Sequence, residues 1–193
     1  SISLIQVITA QKYDVRNFTI EFIKFSLPGI IIFLPIVILF ISNFYLNFLI
    51  AAIMIILSFI SIFKFKINQL KKIISNKMIL FFIGSIHGIS NLGGGFISIF
   101  SSKYFYGDKF KVRKAIAIAY LLFAITQILV LNIINVFTIN KYILYYVIFA
   151  LLSFYISNLL FKKINFINYS RILYFIVLIY GFIYIYLSIM NLN

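Results

Sequence analysis

Long apolar runs without charge alternate with short polar clusters along this chain. Residues 25–63, 78–102, 115–140, 142–161 and 172–193 contain no Asp, Glu, Lys or Arg. A helix needs about 20 apolar residues to cross a hydrocarbon core of about 30 Å, so each run has the length of a membrane element. The pattern predicts an all-α fold, a polytopic transmembrane helical bundle. The run over 25–63 is too long for one helix and breaks at Ser42 and Asn43. It predicts helices over about 18–41 and 44–65. Pro28 and Pro35, seven residues apart and so near one face of the first, are expected to bend it, because each removes a backbone donor. Ser1 to Ala10 reads as the tail of a helix, followed by a polar loop over 11–17. Three further helices fit about 112–134, 141–162 and 168–189.

Composition narrows the class. Of 193 residues, 64% are hydrophobic and 10% charged, whereas roughly a quarter of the residues of a soluble domain are charged. The net charge of +14 raises the question of nucleic acid. The basic residues, however, cluster between apolar runs and leave no basic stripe, so nucleic acid is excluded as a partner. They read as loop anchors facing anionic headgroups, which makes the lipid bilayer the first partner. The absence of cysteine removes disulfides, thiolate metal sites, iron–sulfur clusters and thiol catalysis together. Ser1 to Ala10 lacks the basic flank and small-residue cleavage site of a secretory signal. The chain begins with Ser, and part of the N-terminus is expected to be missing.

Charge also bears on topology. Two strongly basic loops, one with Lys64, Lys66, Lys71, Lys72 and Lys77 and one with Lys103, Lys109, Lys111, Arg113 and Lys114, flank the run over 78–102. A single span there would put them on opposite sides of the membrane, against the positive-inside rule. Two half-helices joined near Asn91 to Gly95 put both in the cytoplasm, so a re-entrant hairpin is expected. Phe18-Thr19-Ile20 recurs as Phe137-Thr138-Ile139, with Gln6 and Gln127 upstream of each. On this topology the two copies face opposite sides, the signature of an inverted repeat with a substrate site between its halves. The first copy lacks a counterpart to the segment from Asn76 to Ala119. Residues 1–66 then form the remainder of a first repeat, 67–77 a basic cytoplasmic loop, and 78–193 a second repeat carrying the glycine-rich hairpin.

The distinctive chemistry lies between Gly84 and Phe96, which hold five of eight glycines and the lone histidine. Gly84 and Gly88 have the spacing that lets membrane helices pack closely. Gly93, Gly94 and Gly95 point to all faces of a helix and each costs it about 1 kcal/mol. They read as a functional break, with a half-helix starting just after Gly93 whose free N–H groups stabilise an anion. His87 is either a neutral imidazole bonded to a carbonyl or to Asn91, or a functional group by virtue of its costly burial. Ser90 and Asn91 either bond substrate oxygens or satisfy broken backbone. Thr126 and Gln127 share that ambiguity, and Gln127 is the stronger candidate, since an amide in lipid needs a partner. The candidate substrate-binding set is therefore His87, Ser90, Asn91, Gly93, Gly94, Gly95 and Gln127. A lone histidine without nearby acids makes no metal site, and no cofactor is expected.

At this segment the chain resembles the sulfite exporter TauE/SafE family of membrane permeases. Gly84, Gly88, Asn91, Gly93, Gly94 and Gly95 match its pattern, and Arg113 to Ala119 resembles its small-residue helix opening. A proline often found after the glycines is absent. The resemblance implies a multi-pass protein of the cytoplasmic membrane that moves a small anion, a sulfur oxyanion or organosulfonate. The alternatives are a non-transporting remnant or partner subunit of a permease and, more remotely, an intramembrane enzyme, for which the three acids lie at loop ends. No enzyme activity is expected, and homo-oligomerisation is left open.

Overall fold

The computed structural model describes residue 6 and residues 13–40, 44–63, 75–136 and 143–190. The described elements are all helices: α1 (Arg16–Phe40), α2 (Phe44–Ile62), α3 (Asn76–Ser90), α4 (Gly93–Tyr104), α5 (Lys109–Ile133), α6 (Ile143–Lys163) and α7 (Phe166–Met190). Stretches over Arg16–Ile38, Lys109–Ile133 and Phe166–Met190 are long and apolar enough to cross a membrane. The chain is an all-helical membrane protein. The helix starts follow local chemistry. Ser75 Oγ accepts the Met78 N–H at the head of α3, and Asp108 Oδ1 accepts the Phe110 and Lys111 N–H groups at the head of α5. Both prolines lie inside α1, which continues through them.

Close backbone approach sets the order of the bundle. A Cβ on Gly84 would stand 1.9 Å from the Ser26 carbonyl oxygen, one on Gly29 2.6 Å from Ser85 N, and one on Gly88 3.1 Å from Leu34 N. As α3 advances from Gly84 to Gly88, its neighbours on α1 advance from Ser26 to Leu34, so the two helices run parallel. The packing role expected for Gly84 and Gly88 is the one they have, and Gly29 supplies the reciprocal gap on α1. Beyond the turn at Asn91 and Leu92, α4 comes back: Gly93 lies against Ile83 and His87 of α3, while Tyr104 packs edge-on against Phe18 near the start of α1. The start of α3 and the end of α4 therefore lie toward the same end of α1. At 1.5 Å per residue, α3 and α4 are about 22 and 18 Å long. Each is shorter than a hydrocarbon core of about 30 Å.

Helix α4 occupies the middle of the bundle, touching α2, α3, α5 and α7, while α2 lies along α7. The apolar core gathers on it, with Phe96, Ile97 and Ile99 meeting Phe22, Met54, Ile83, Ala119, Phe123 and Val177.

Some basic residues expected to face headgroups instead hold the bundle together. Lys109 Nζ donates to the carbonyl oxygens of Phe161 (2.9 Å) and Ile164, so it satisfies carbonyls at the C-terminal end of α6. Arg113 donates to Asn158 Oδ1 at 2.9 Å and lies 4.5 Å over the Phe161 ring. Lys114 Nζ donates to the Tyr13 carbonyl at 2.6 Å. These bonds draw residues 13–16, the head of α5 and the α6–α7 junction to one end of the molecule, the basic end. The recurring Phe137-Thr138-Ile139, Lys64, Lys66, Lys71 and Lys72, and Ser1 to Ala10 apart from Gln6 lie outside the described residues.

Candidate functional site

The break between α3 and α4 is made by Asn91 and Leu92. Asn91 adopts the left-handed conformation (φ 61°, ψ 8°), and its N–H closes α3 by donating to the His87 carbonyl oxygen at 2.9 Å. Asparagine tolerates this conformation better than any other residue with a Cβ. The three glycines are the first turn of α4, not its interruption. Each is needed for a different neighbour. A Cβ on Gly93 would meet Ile83 O at 2.8 Å and His87 Cβ at 2.4 Å, one on Gly94 would meet the Tyr120 hydroxyl oxygen at 2.0 Å, and one on Gly95 would meet Met54 Cε at 2.5 Å. The expected half-helix begins at Gly93, with its first turn wedged among α2, α3, α5 and α7.

Backbone donors remain free there. The Leu92 N–H goes to Ser90 Oγ at 3.3 Å and the Gly95 N–H to Leu92 O at 3.1 Å. The buried amides of Gly93 and Gly94 have no acceptor among the described residues. Ser90 Oγ also donates to Ile86 O at 3.0 Å. It serves the broken backbone, the plainer of its two sequence readings.

Two cavities flank the break. The first, of about 230 Å³, lies between α1, the end of α3 and α5, and is lined by Leu34, Val37, Ile38, His87 to Asn91 and Gln127. The second, of about 280 Å³, lies between α2, α4, α5 and α7, and is lined by Asn91, Gly94, Gly95, Ser98, Tyr120, Tyr180, Tyr184 and apolar side chains. Asn91 belongs to both. Its Oδ1 accepts from Gln127 Nε2 at 3.2 Å, which gives the half-buried Gln127 amide a partner. His87 is 4% exposed, and both ring nitrogens lack a hydrogen bond of normal geometry. Gln127 faces the ring closely enough to interact with it, and Phe123 stacks on it at 3.8 Å and 13°. Neither partner foreseen for a merely structural histidine, a carbonyl or Asn91, is engaged.

The cavities also differ in position along the bundle. Gln127 lies about 27 Å along α5 from Lys109, toward the end away from the basic residues. The second cavity extends from Leu173 to Tyr184, about 10 to 27 Å along α7 from Phe166 at the basic end. No family model, curated protein or solved structure matches the chain. Its site therefore rests on its own geometry. Among the described residues no three His, Asp or Glu side chains come together to hold a metal ion.

The structure thus brings together His87, Ser90, Asn91, Gly93, Gly94, Gly95 and Gln127, all of the sequence candidates. It adds Tyr120, whose hydroxyl stands over Gly94, and Phe123. Tyr120, Phe123 and Gln127 are three and four residues apart on one helix, and that spacing alone puts them on one face. Thr126 is buried off the cavities.

The turn makes a direct prediction. Asn91→Ala is expected to lower stability by about 1 kcal/mol through the left-handed backbone, and Asn91→Gly to leave it near wild type while removing the bond to Gln127. Thermal unfolding in detergent checks the order.

Proposed function

We propose that the chain is part of a permease for a small anion, similar to the TauE/SafE family, built as an inverted repeat in which α3 and α4 form a re-entrant hairpin. His87 carries this reading: a buried imidazole that engages neither a carbonyl nor Asn91 and faces Gln127 opens onto a cavity with Asn91 and Gln127, beside a helix start with two free amides. Ionisable groups at membrane depth are costly and mark transport paths. Helix starts favour anions, and broken helices are tolerated in membranes where they line a cavity. The positive-inside rule puts the basic end in the cytoplasm. The first cavity then lies toward the outside, and the second reaches inward from the same asparagine. The Asn91–Gln127 bond stands between them as the gate that alternating access opens.

Saturable flux of sulfite, a sulfonate or a simple carboxylate into proteoliposomes holding the purified chain is the expected result. In Gln127→Leu it should fall about tenfold, a loss of about 1.4 kcal/mol in transition-state stabilisation, with a monodisperse protein. Absence of saturable flux for every anion tried would sink the proposal.

A second reading, a partner subunit of a larger permease, is favoured by α6. Among the described residues its surface over 147–156 is mostly exposed, and hydrogen bonds from α5 reach it near its C-terminal end, at Asn158 and Phe161. In the inverted repeat α6 corresponds to α1, which packs along the glycine-rich hairpin. The face of α6 then fits a second such hairpin on another subunit. Flux by the chain alone overturns this alternative.

A further inference from the structure

The second cavity stops about 10 Å short of the basic end, at Leu173 on α7. On three helices, one turn beyond a lining residue toward that end, stands a serine. Met54 leads to Ser58 on α2, Ser98 to Ser101 on α4, and Leu173 to Ser170 on α7. Steps of three or four residues keep each serine on the face of the residue before it. The direction of α2 follows from its connection: three residues separate it from the far end of α1, so it runs back toward the basic end. Gly95 fixes the faces against one another, since a Cβ there would meet Met54 Cε at 2.5 Å and Val177 Cγ1 at 3.1 Å. Nearer the basic end, Ser102 Oγ and the Tyr174 hydroxyl share a hydrogen bond of 2.8 Å between α4 and α7.

These three serines differ from others in the chain. A serine inside a helix can donate to the carbonyl one turn back, as Ser61, Ser85, Ser90 and Ser98 do. Ser58, Ser101 and Ser170 do not, although the carbonyls of Met54, Ile97 and Phe166 stand one turn behind them. All three are buried, and their Oγ atoms have no hydrogen-bond partner among the described residues. Ser26, also without one, is held at the α1–α3 contact against Gly84. Small residues let helices pack closely, but three unbonded hydroxyls, each about 5 to 6 Å from the basic-end terminus of its helix, need a partner that packing does not supply. Water bonds such groups where a polar space admits it. We propose that the second cavity continues to the basic end as a hydrated passage between α2, α4 and α7, which the Ser102–Tyr174 bond holds closed. Resting on the permease reading, this passage is the cytoplasmic leg of the route.

The chain has no cysteine, so a single cysteine placed in the full chain is the one thiol a reagent can find. Ser58→Cys, Ser101→Cys and Ser170→Cys, purified and held in lipid nanodiscs, are expected to react with a charged, membrane-impermeant methanethiosulfonate at least about tenfold faster than Ala115→Cys. Ala115 is equally buried, about 9 Å along α5 from Lys109, and belongs to the apolar core. Tyr174→Phe removes the bond to Ser102 and keeps the ring. It should speed the reaction of Ser101→Cys about fivefold and leave that of Ala115→Cys unchanged. A rate no higher than that of Ala115→Cys at any of the three positions, or no response to Tyr174→Phe, overturns the inference. Reaction at all three without saturable flux in proteoliposomes overturns the permease reading and leaves the passage. Saturable flux without reaction does the reverse.

Discussion

Gly84→Ala is expected to destabilise the protein by about 3 kcal/mol, a large fraction of the roughly 5–15 kcal/mol that holds a folded domain together. Helix propensity alone predicts the opposite sign, since alanine in place of glycine within a helix gains about 1 kcal/mol. The added methyl would stand 1.9 Å from the Ser26 carbonyl oxygen and 2.7 Å from the Ser26 carbonyl carbon. Those atoms are backbone within α1 and have no rotamer to change. The helices must separate, and separation also loosens the contacts at Gly29 and Gly88 on either side. Gly95→Ala is the contrast: its obstacle at 2.5 Å is Met54 Cε, the tip of a flexible side chain. That variant should retain stability within about 1 kcal/mol of wild type. Thermal unfolding midpoints of the two variants decide the point. A stable Gly84→Ala protein would mean that α1 and α3 are not packed backbone to backbone.

The helix limits were legible in the sequence because charge and polarity punctuate it. The helices expected over 18–41, 44–65, 112–134, 141–162 and 168–189 lie at Arg16–Phe40, Phe44–Ile62, Lys109–Ile133, Ile143–Lys163 and Phe166–Met190. The break near Asn91 was legible because asparagine and clustered glycines are improbable inside one apolar helix. Its placement was not: the glycines looked like the break because composition cannot distinguish freedom of φ from lack of a side chain. Asn91 takes the positive φ, and the glycines provide room on three sides. The role of Lys109 and Arg113 was hidden for a related reason. Their targets are carbonyls and an amide 45 to 55 residues away, and no local pattern reveals a contact of that sequence separation. Tyr120 and Phe123 were hidden among many aromatic residues whose default reading is packing. Their helical spacing to Gln127 was available and became informative once Gln127 was tied to Asn91.

On the permease reading proposed above, Gly94→Leu is expected to lower flux at least about tenfold while leaving a folded protein, and a suppressor should separate the two effects. The side chain at this position would first meet the Tyr120 hydroxyl, 2.0 Å from the added Cβ. Unlike Ser26, Tyr120 presents a side chain, and the residue is 41% exposed, so a change of rotamer can make room where main chain cannot. The cost to stability should therefore stay near 1 kcal/mol. The cost to function is larger. A leucine at Gly94 extends into the second cavity and covers the buried amides at the head of α4, where the proposed transport would have an anion pass. Flux should fall at least about tenfold, equivalent to about 1.4 kcal/mol or more. Gly94→Ala should show a partial loss that Tyr120→Leu relieves in the double variant, since the space the methyl needs is the space the tyrosine ring leaves. No second substitution can relieve Gly84→Ala in the same way, because its obstacle is main chain. Wild-type flux through a monodisperse Gly94→Leu protein would remove the second cavity from the transport path and leave the first, beside His87, without an exit toward the basic end.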